Sequence, residues 1–253
     1  MFDEFLKIWR KKSLTAETVD QALDMLAKTR EMFVESMWSL RESNTGELRL
    51  DVYQHDKTIN KLVRDVRKKL MTHLMISDKS EVISGLTLAI VVNNIERIGD
   101  YTKNIADLAI LHKKTLHAAE FEETVVSIEK RVKDFFDWTI KAFPESDVEL
   151  ARQVVHQYKD VSRDTTILIN TLIKGECEFN ISDAVTLWDS LNNEFYIDIG
   201  ECEFNISDAV TLALYIRFLK RVGAHLYNIC TSIVNPFHRI GFKEKNNEIN
   251  QGN

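Results

Sequence analysis

The chain has 253 residues, a formal net charge of −6, and only two prolines and eight glycines. This length allows one or two domains, and so few helix-breaking residues favour long helices over a turn-rich β fold. The basic residues form no long run, which argues against a nucleic-acid-binding surface, and the three cysteines include no Cys-x-x-Cys zinc motif. With no secretory signal and no run of about 18 apolar residues, the sequence predicts a cytoplasmic protein without a membrane-spanning helix.

Six segments repeat apolar residues at three- and four-residue spacing, which predicts six helices. The first three are expected at 15–41, 47–76 and 81–112. The fourth is expected at 118–143, ending before Pro144, and the fifth begins at a capping box of Ser146 and Glu149 and continues to 174. The sixth ends near Pro236. Long helices joined by short loops pack antiparallel, so the predicted fold is all-α, with two tandem up-down three-helix bundles.

The helices divide the chain into four predicted parts. An N-terminal amphipathic segment covers 1–14, the first bundle 15–115, the second bundle 116–236, and a disordered tail 237–253. Phe2, Phe5 and Trp9 share one face of the first segment, beside several basic residues. A segment this short binds a bilayer weakly, so at most a peripheral membrane contact is expected.

One stretch is duplicated letter for letter, since 175–187 reappears as 200–212. The repeats of a solenoid preserve a pattern rather than an identity and number at least three, so this duplication is of another kind. A recent local duplication, or an artefact, is the favoured interpretation, and a functional hairpin the less favoured one. If the insert folds, 182–196 is expected to form a short extra helix.

Two carboxylates stand four residues apart in the strongly apolar third helix. At 3.6 residues per turn, Glu96 and Asp100 lie one above the other on one face of that helix. Like charges at this spacing repel each other unless a positive charge lies between them. A metal ion is one source of that charge, and neighbouring Lys and Arg side chains are another.

The same skeleton returns near the C-terminus at 217–229, which indicates a two-fold internal repeat. Four residue types return in register, as the pairs Arg97 and Arg221, Gly99 and Gly223, Asn104 and Asn228, and Ile105 and Ile229. The carboxylates do not return, because Lys220 replaces Glu96 and Ala224 replaces Asp100. One copy can therefore bind a metal ion, whereas the other has lost this ability.

Each half also carries an oxygen-bearing pair on its second helix. In the first half this pair is Asp56 and Asn60, and in the second half it is Asp160 and Asp164. Carboxylate and amide oxygens from two helices suit Mg, Mn or Fe better than Cu. In the second half, Lys220 is expected to replace the cation by pairing with Asp160 or Asp164.

The sequence contains no motif for catalysis. A Gly-x-x-x-x-Gly-Lys loop, a His-Glu-x-x-His pair and a Gly-x-Ser-x-Gly elbow are all absent, and no nucleophile–base pair can be assigned. A non-enzymatic binding protein is therefore predicted. Two alternatives stay open, namely a helical adaptor without a metal ion and, less favoured, a metal-carboxylate enzyme.

At these residues the chain resembles the PhoU family of phosphate-transport regulators. The resemblance rests on Glu-Arg-Ile-Gly-Asp at 96–100, on Asn-Ile-Ala at 104–106, and on the Asp-x-x-x-Asn/Asp pairs of the second and fifth helices. It implies two three-helix bundles, a homodimer, and repression of phosphate-starvation signalling through a transporter ATPase or a sensor histidine kinase. It also implies bound metal, possibly iron, with Mn, Mg and Zn as alternatives. The implied metal positions are Glu96, Asp100, Asp56 and Asn60, with Asp160 and Asp164 as a remnant.

Overall fold

The computed structural model describes residues 13–76, 79–174 and 206–243, and within these ranges it contains six α-helices, two short 3-10 helices and no strand. The predicted all-α class is therefore confirmed. In chain order the helices are α1 (Ser13–Arg41), α2 (Val52–Ile76), α3 (Lys79–His112), α4 (Glu122–Glu145), α5 (Val148–Lys174) and α6 (Ile206–Val234), and the 3-10 helices are Ala119–Phe121 and Phe237–Arg239.

The helices pack as two groups of three in the order of the chain. Helices α1, α2 and α3 contact one another, as do α4, α5 and α6, and the third helix of each group packs along the other. The predicted pair of tandem bundles is confirmed, while the exact domain limits at 115 and 236 stay a prediction. Phe33 of α1 and Phe136 of α4 extend the core across the two groups, with ring centroids 5.1 Å apart.

A buried polar network also joins the two bundles. The guanidinium of Arg41, at the end of α1, donates to Glu129 Oε1 over 3.0 Å and to Glu122. The hydroxyl of Tyr215 donates to the same Glu129 oxygen over 2.7 Å. The side chains of Arg41 and Glu129 are only 9% and 10% exposed, so each charge depends on the other for compensation.

Helix α2 begins five residues later than the predicted residue 47. The carboxylate of Asp51 accepts the backbone N–H of Gln54 over 2.8 Å and so caps the first turn. The preceding residues are held outside the helix, because the Ser39 hydroxyl donates to the carbonyl of Glu47 over 2.6 Å and Arg49 pairs with Glu35.

The junction of α4 and α5 also differs from its prediction. Helix α4 continues through Pro144 and ends at Glu145, because a proline in the last turn removes only one hydrogen bond. Ser146 adopts the left-handed conformation and closes α4, with its N–H bonded to the Ala142 carbonyl. Asp147, rather than Ser146, caps α5, since its Oδ1 accepts the N–H groups of Glu149 and Leu150, each over 3.0 Å.

The predicted disordered tail is ordered over 237–243, where it folds back on the end of α6. The Asn235 amide donates to the carbonyls of Arg239 and Phe242 over 3.1 and 2.7 Å, and the Gly241 N–H donates to the Thr231 hydroxyl over 2.8 Å. The predictions for 1–12, for 244–253 and for the extra helix at 182–196 lie outside the described residues. Of the exact repeat, only the end of the second copy is described, and its residues 206–212 open α6.

The expectation of no membrane-spanning helix stays a prediction, because one helix of the described chain has the length and composition of a membrane span. The part of α3 from Glu81 to His112 is long and apolar enough to cross a membrane by length and composition. Just over half of its most apolar 18-residue stretch is buried inside the protein. The core helix of a helical bundle can have the same length and apolar composition.

Candidate functional site

The four residues predicted as metal ligands in the first bundle lie on neighbouring turns of α2 and α3. Helices α2 and α3 face each other at Gly99, where an added Cβ would lie at ordinary contact distances of 3.8 Å from Ile59 Cδ1 and 3.9 Å from Asp56 Oδ1. The carboxylates of Asp56 and Glu96 both act on Asp100 electrostatically. The structure therefore brings three predicted acidic residues within electrostatic range of one another.

Asp56 is the most enclosed of these carboxylates, with 8% of the residue exposed. Its Oδ2 accepts the Lys103 ammonium over 3.1 Å and the Asn60 amide over 3.2 Å. Asn60 is thus a donor to Asp56 through its Nδ2. Lys103, which the sequence analysis did not single out, provides the positive charge beside Asp56.

Glu96 is paired with an arginine of the neighbouring helix. The Arg67 guanidinium donates to Glu96 Oε2 over 2.9 Å and to Asn93 Oδ1 over 3.1 Å. Both charged side chains reach solvent, with 47% of Arg67 and 26% of Glu96 exposed. Screening by water makes such a pair weak, so it leaves Glu96 open to competition by other cations.

Asp100 has the weakest pairing of the three carboxylates. Its one ion pair among the described residues is a long contact of 3.4 Å to Arg97, one turn earlier on α3. Partial burial, together with the charges of Asp56 and Glu96, raises the pKa of Asp100, and the nearby Lys103 and Arg97 oppose this rise. Of the three acids, Asp100 would gain most from a further positive charge.

This arrangement does not by itself fit a metal ion. Among the described residues, no group of three or more His, Cys, Asp or Glu side chains is placed so that it could hold one. Each carboxylate instead faces a cationic side chain, with Lys103 on Asp56, Arg67 on Glu96 and Arg97 on Asp100. An ion at this face would have to displace Arg67 or Arg97 from an exposed carboxylate.

The predicted partner of Lys220 in the second bundle was wrong. Its ammonium donates to the Thr166 hydroxyl over 2.6 Å rather than to Asp160 or Asp164. Asp164 instead points toward α4, where it accepts Arg131 over 2.8 Å at the wall of a groove of about 430 Å³ between α4 and α5. Asp160 pairs with Arg163 over 3.0 Å at the surface.

Sequence analysis did not identify the contact between the two copies of the internal repeat. Tyr101 of α3 and His225 of α6 occupy equivalent positions in the repeat, four residues after Arg97 and Arg221, and their rings stack with centroids 5.6 Å apart. His225 Nδ1 lies 2.9 Å from Asn94 Oδ1, which also accepts the amide of Asn228. The register of the repeat was the available signal, because residues equivalent in two packed copies tend to meet near a pseudo-two-fold axis.

The His225 ring is held neutral by its surroundings. Burial is the main cause, and the charges of Arg221 and Arg97 add to it, so that the pKa of His225 falls from 6.5 to about 4. Because Asn94 Oδ1 accepts from two sides, His225 Nδ1 carries the proton, and its buried Nε2 has no hydrogen-bond partner within the described chain.

Comparison with known proteins finds similarity to PhoU proteins. The model of the PhoU domain matches residues 22–109, which include Asp56, Asn60, Glu96 and Asp100. A protein of Thermotoga maritima, named phosphate-specific transport system accessory protein PhoU homolog 1, is 26% identical over 237 residues, which are 89% of this chain and 86% of the relative. The chain carries a PhoU domain at 22–109. A PhoU homolog of Pseudomonas aeruginosa is 34% identical over a shorter stretch of 65 residues, which are 26% of each chain.

Solved PhoU structures share the fold over most of this chain. The crystal structure of PhoU from Pseudomonas aeruginosa aligns with a TM-score of 0.70 at 19% identity, and covers 88% of this chain and 96% of that one. PhoU from Streptococcus pneumoniae aligns with a TM-score of 0.67 at 17% identity, over 87% of this chain and 92% of that one. At these identities the agreement concerns the fold alone.

Proposed function

We propose that this chain is an accessory protein of a phosphate-specific transport system, and that it acts by binding rather than by catalysis. The observation that carries the proposal is the similarity, over 89% of this chain, to a Thermotoga maritima protein whose name gives that function, together with the PhoU domain at 22–109. The absence of catalytic motifs from the sequence supports a binding role.

The proposed partners are the ATPase of a phosphate transporter and a sensor histidine kinase, which a homodimer of this chain would contact at the cytoplasmic side of the membrane. Two long helical bundles joined along α3 and α6 offer extended surfaces for such contacts. Binding would then repress phosphate uptake and starvation signalling when phosphate is plentiful.

A complementation experiment tests this function. A strain that lacks the chain is expected to express a phosphate-starvation reporter even in phosphate-rich medium, and the wild-type chain is expected to restore repression. Phosphate uptake, measured with radiolabelled phosphate in the same strains, should fall on restoration. Equal reporter expression and equal uptake with and without the chain would contradict the proposal.

Metal binding at Glu96, Asp100, Asp56 and Asn60 stays a separate prediction. Elemental analysis of the purified chain beside the variant Glu96→Ala/Asp100→Ala tests it, with Asp160→Ala/Asp164→Ala in the second bundle as the matched control. One or more Fe, Mn, Mg or Zn ions per chain, lost only in the first variant, would support a metal centre. Equal metal content in all three proteins would contradict it.

A metal-free adaptor is the second candidate, and the ion pairs at the α2–α3 face favour it. Lys103, Arg67 and Arg97 already supply a positive charge for each carboxylate. In this case exhaustive treatment with a chelator should leave both the thermal unfolding curve and partner binding unchanged. A fall in the melting temperature that added metal reverses would count against the adaptor.

A further inference from the structure

Helix α2 is strongly basic within an acidic protein. It carries six Lys and Arg residues but only two Asp residues and no Glu, a balance of +4, whereas the whole chain has a net charge of −6. The basic residues are Lys57, Lys61, Arg64, Arg67, Lys68 and Lys69. This concentration of positive charge on one helix indicates a surface selected for an acidic partner.

Four of these basic residues form a single row along the outer side of α2. Lys57, Lys61, Arg64 and Lys68 follow one another at spacings of four, three and four residues, and all four are exposed. None of their four side chains forms an ion pair or hydrogen bond within the described chain. Like charges at these spacings destabilise a helix, so an unpaired row is a cost that folding alone does not explain.

The row continues into an apolar end. The next positions on the same side of α2 are Met71 and Met75, which are 64% and 79% exposed. The start of α3 packs against this end of α2 through Glu81 and His73, and its residues Ile83 and Leu86 are 56% and 42% exposed. Large apolar side chains gathered at an exposed helix end indicate a contact with another molecule. We name the row from Lys57 to Met75, together with Ile83 and Leu86, the α2 stripe.

A buried contact between α2 and α3 holds the apolar end of the α2 stripe in place. Directly beneath it, His73 Nε2 lies 2.7 Å from Glu81 Oε2, and both residues are buried, so the end of α2 is tied to the start of α3. A preformed surface of this kind pays little ordering entropy when a partner binds.

We propose that the α2 stripe is the docking site for an acidic amphipathic helix of a protein partner, with its carboxylates on Lys57, Lys61, Arg64 and Lys68 and an apolar turn on Met71 and Met75. The row is about 27 Å long at 1.5 Å per residue, which matches five turns of a partner helix lying along α2. Its charges are complementary to Asp and Glu at the same spacing. This proposal deepens the function proposed above and rests on it for the identity of the partner.

A flat membrane surface fits the stripe less well than a helix does. Helices that lie in a bilayer interface carry apolar residues along their whole length. On the α2 stripe the first four positions are all basic, and the apolar side chains are confined to the last two turns. The separation of charge from apolar contact along one line suits a helical partner with the same division.

Charge reversal tests the proposal with purified proteins. The triple variant Lys61→Glu/Arg64→Glu/Lys68→Glu should bind the transporter ATPase or the sensor kinase at least about tenfold more weakly than wild type, with a smaller salt dependence for the residual binding. Met71→Gln/Met75→Gln should weaken binding at unchanged salt dependence. The matched control Lys130→Glu/Lys141→Glu/Lys159→Glu makes the same charge change at exposed positions of α4 and α5 and should bind as wild type does.

Two further experiments distinguish a helical protein partner from a membrane surface and from a second copy of the chain. A synthetic helical peptide with glutamates at the spacing of the stripe and leucines in its last turn should bind wild type and the control, but not the triple variant. Its lysine counterpart should bind the triple variant instead. Vesicles containing phosphatidylserine and sedimentation equilibrium measure membrane binding and self-association. Loss of vesicle binding or of dimers in the triple variant, without any loss of partner or peptide binding, would overturn the proposal.

Failure of the stripe and failure of the proposed function give different results. If wild type binds the ATPase or the kinase and the triple variant binds it equally well, the stripe is wrong and the function stands. If wild type binds neither protein, the proposed function fails. The acidic peptide then tests the stripe by itself. Peptide binding that is lost only in the triple variant would support the stripe, and equal peptide binding by wild type and the triple variant would contradict it. Circular dichroism of each variant checks that α2 remains folded.

Discussion

At the contact between the two bundles, His225 is a single residue whose pKa predicts a dependence of stability on pH. His225 stacks on Tyr101 and contacts Asn94, and its pKa falls to about 4 through burial and the charges of Arg221 and Arg97. In the unfolded chain the ring titrates near its ordinary value of 6.5. Between these two pH values the unfolded state binds more protons, so acid favours unfolding.

We therefore expect the His225 contribution to the free energy of unfolding to be complete above pH 6.5 and to be lost as the pH falls toward 4. One pKa unit corresponds to about 1.4 kcal/mol, and partial screening by solvent reduces the total loss to about 2 kcal/mol. Urea unfolding at a series of pH values measures it. His225→Asn should flatten this dependence, whereas His156→Asn at an exposed site should not.

The buried ion pair of Arg41 and Glu129 is the second residue-scale feature with a measurable consequence. Burial raises the pKa of Glu129, and the charge of Arg41 and the hydroxyl of Tyr215 oppose this rise. Arg41→Ala leaves the buried carboxylate without compensation, and we expect it to lower the free energy of unfolding by about 3 kcal/mol.

Thermal and urea unfolding measure this loss, with Arg163→Ala as the control. Arg163 is 63% exposed, so removal of its pairs with Asp160 and Asp164 should cost less than about 1 kcal/mol. Equal losses in the two variants would mean that the Arg41 network does not hold the bundles together.

At the scale of the elements, two glycines differ in whether their surroundings would accept a larger side chain. Gly99 lies within α3, and a Cβ there would make only ordinary contacts, the nearest at 3.7 Å to Thr29 Cγ2. Gly46 lies between α1 and α2 with a φ of +69°, and a Cβ there would press on the backbone carbonyl of Ala109. The glycine of the family motif is thus replaceable on steric grounds, and the loop glycine is not.

We expect Gly99→Ala to raise the free energy of unfolding by about 0.5–1 kcal/mol, since alanine is the better helix former. Gly46→Ala should lower it by about 3 kcal/mol through left-handed strain and collision with the α3 backbone. Differential scanning calorimetry of both variants checks the pair. A loss of stability in Gly99→Ala would show that α3 is packed more tightly at this glycine than its distances indicate.

At the scale of the whole molecule, the duplicated segment gives a test of what the fold needs. Helix α5 ends at Lys174 and α6 begins at Ile206, and the second copy of the repeat supplies the buried Asp208 and Leu212 at the start of α6. Deletion of 175–199 keeps one complete copy and joins it directly to α5.

We expect this deletion to preserve the six-helix fold and to raise the free energy of unfolding by about 1.4 kcal/mol at most, because the entropy of closing a connection depends only weakly on its length. Far-UV circular dichroism and urea unfolding measure both outcomes. A deletion variant that is unfolded, or less stable than wild type, would assign a structural role to the extra residues.

The sequence by itself determined the helices and the pairs of carboxylates. Helical periodicity is local, so apolar spacing of three and four located all six helices, with errors at ends such as that of α2, where Asp51 rather than Glu47 marks the start. The same periodicity placed Glu96 above Asp100 and Asp56 above Asn60. The repeat of Arg97 as Arg221 predicted two equivalent bundles before any packing was known.

Only the tertiary structure decided which charges meet across the helices. Lys103 reaches Asp56 over a sequence separation of 47 residues, and Arg67 reaches Glu96 over 29. Such contacts depend on how the helices are rotated and offset against each other, which a single helix does not encode. For the same reason the Lys220 ammonium donates to the Thr166 hydroxyl instead of pairing with an aspartate. Side-chain spacing thus predicted which acidic residues share a face, and helix packing decided what neutralises them.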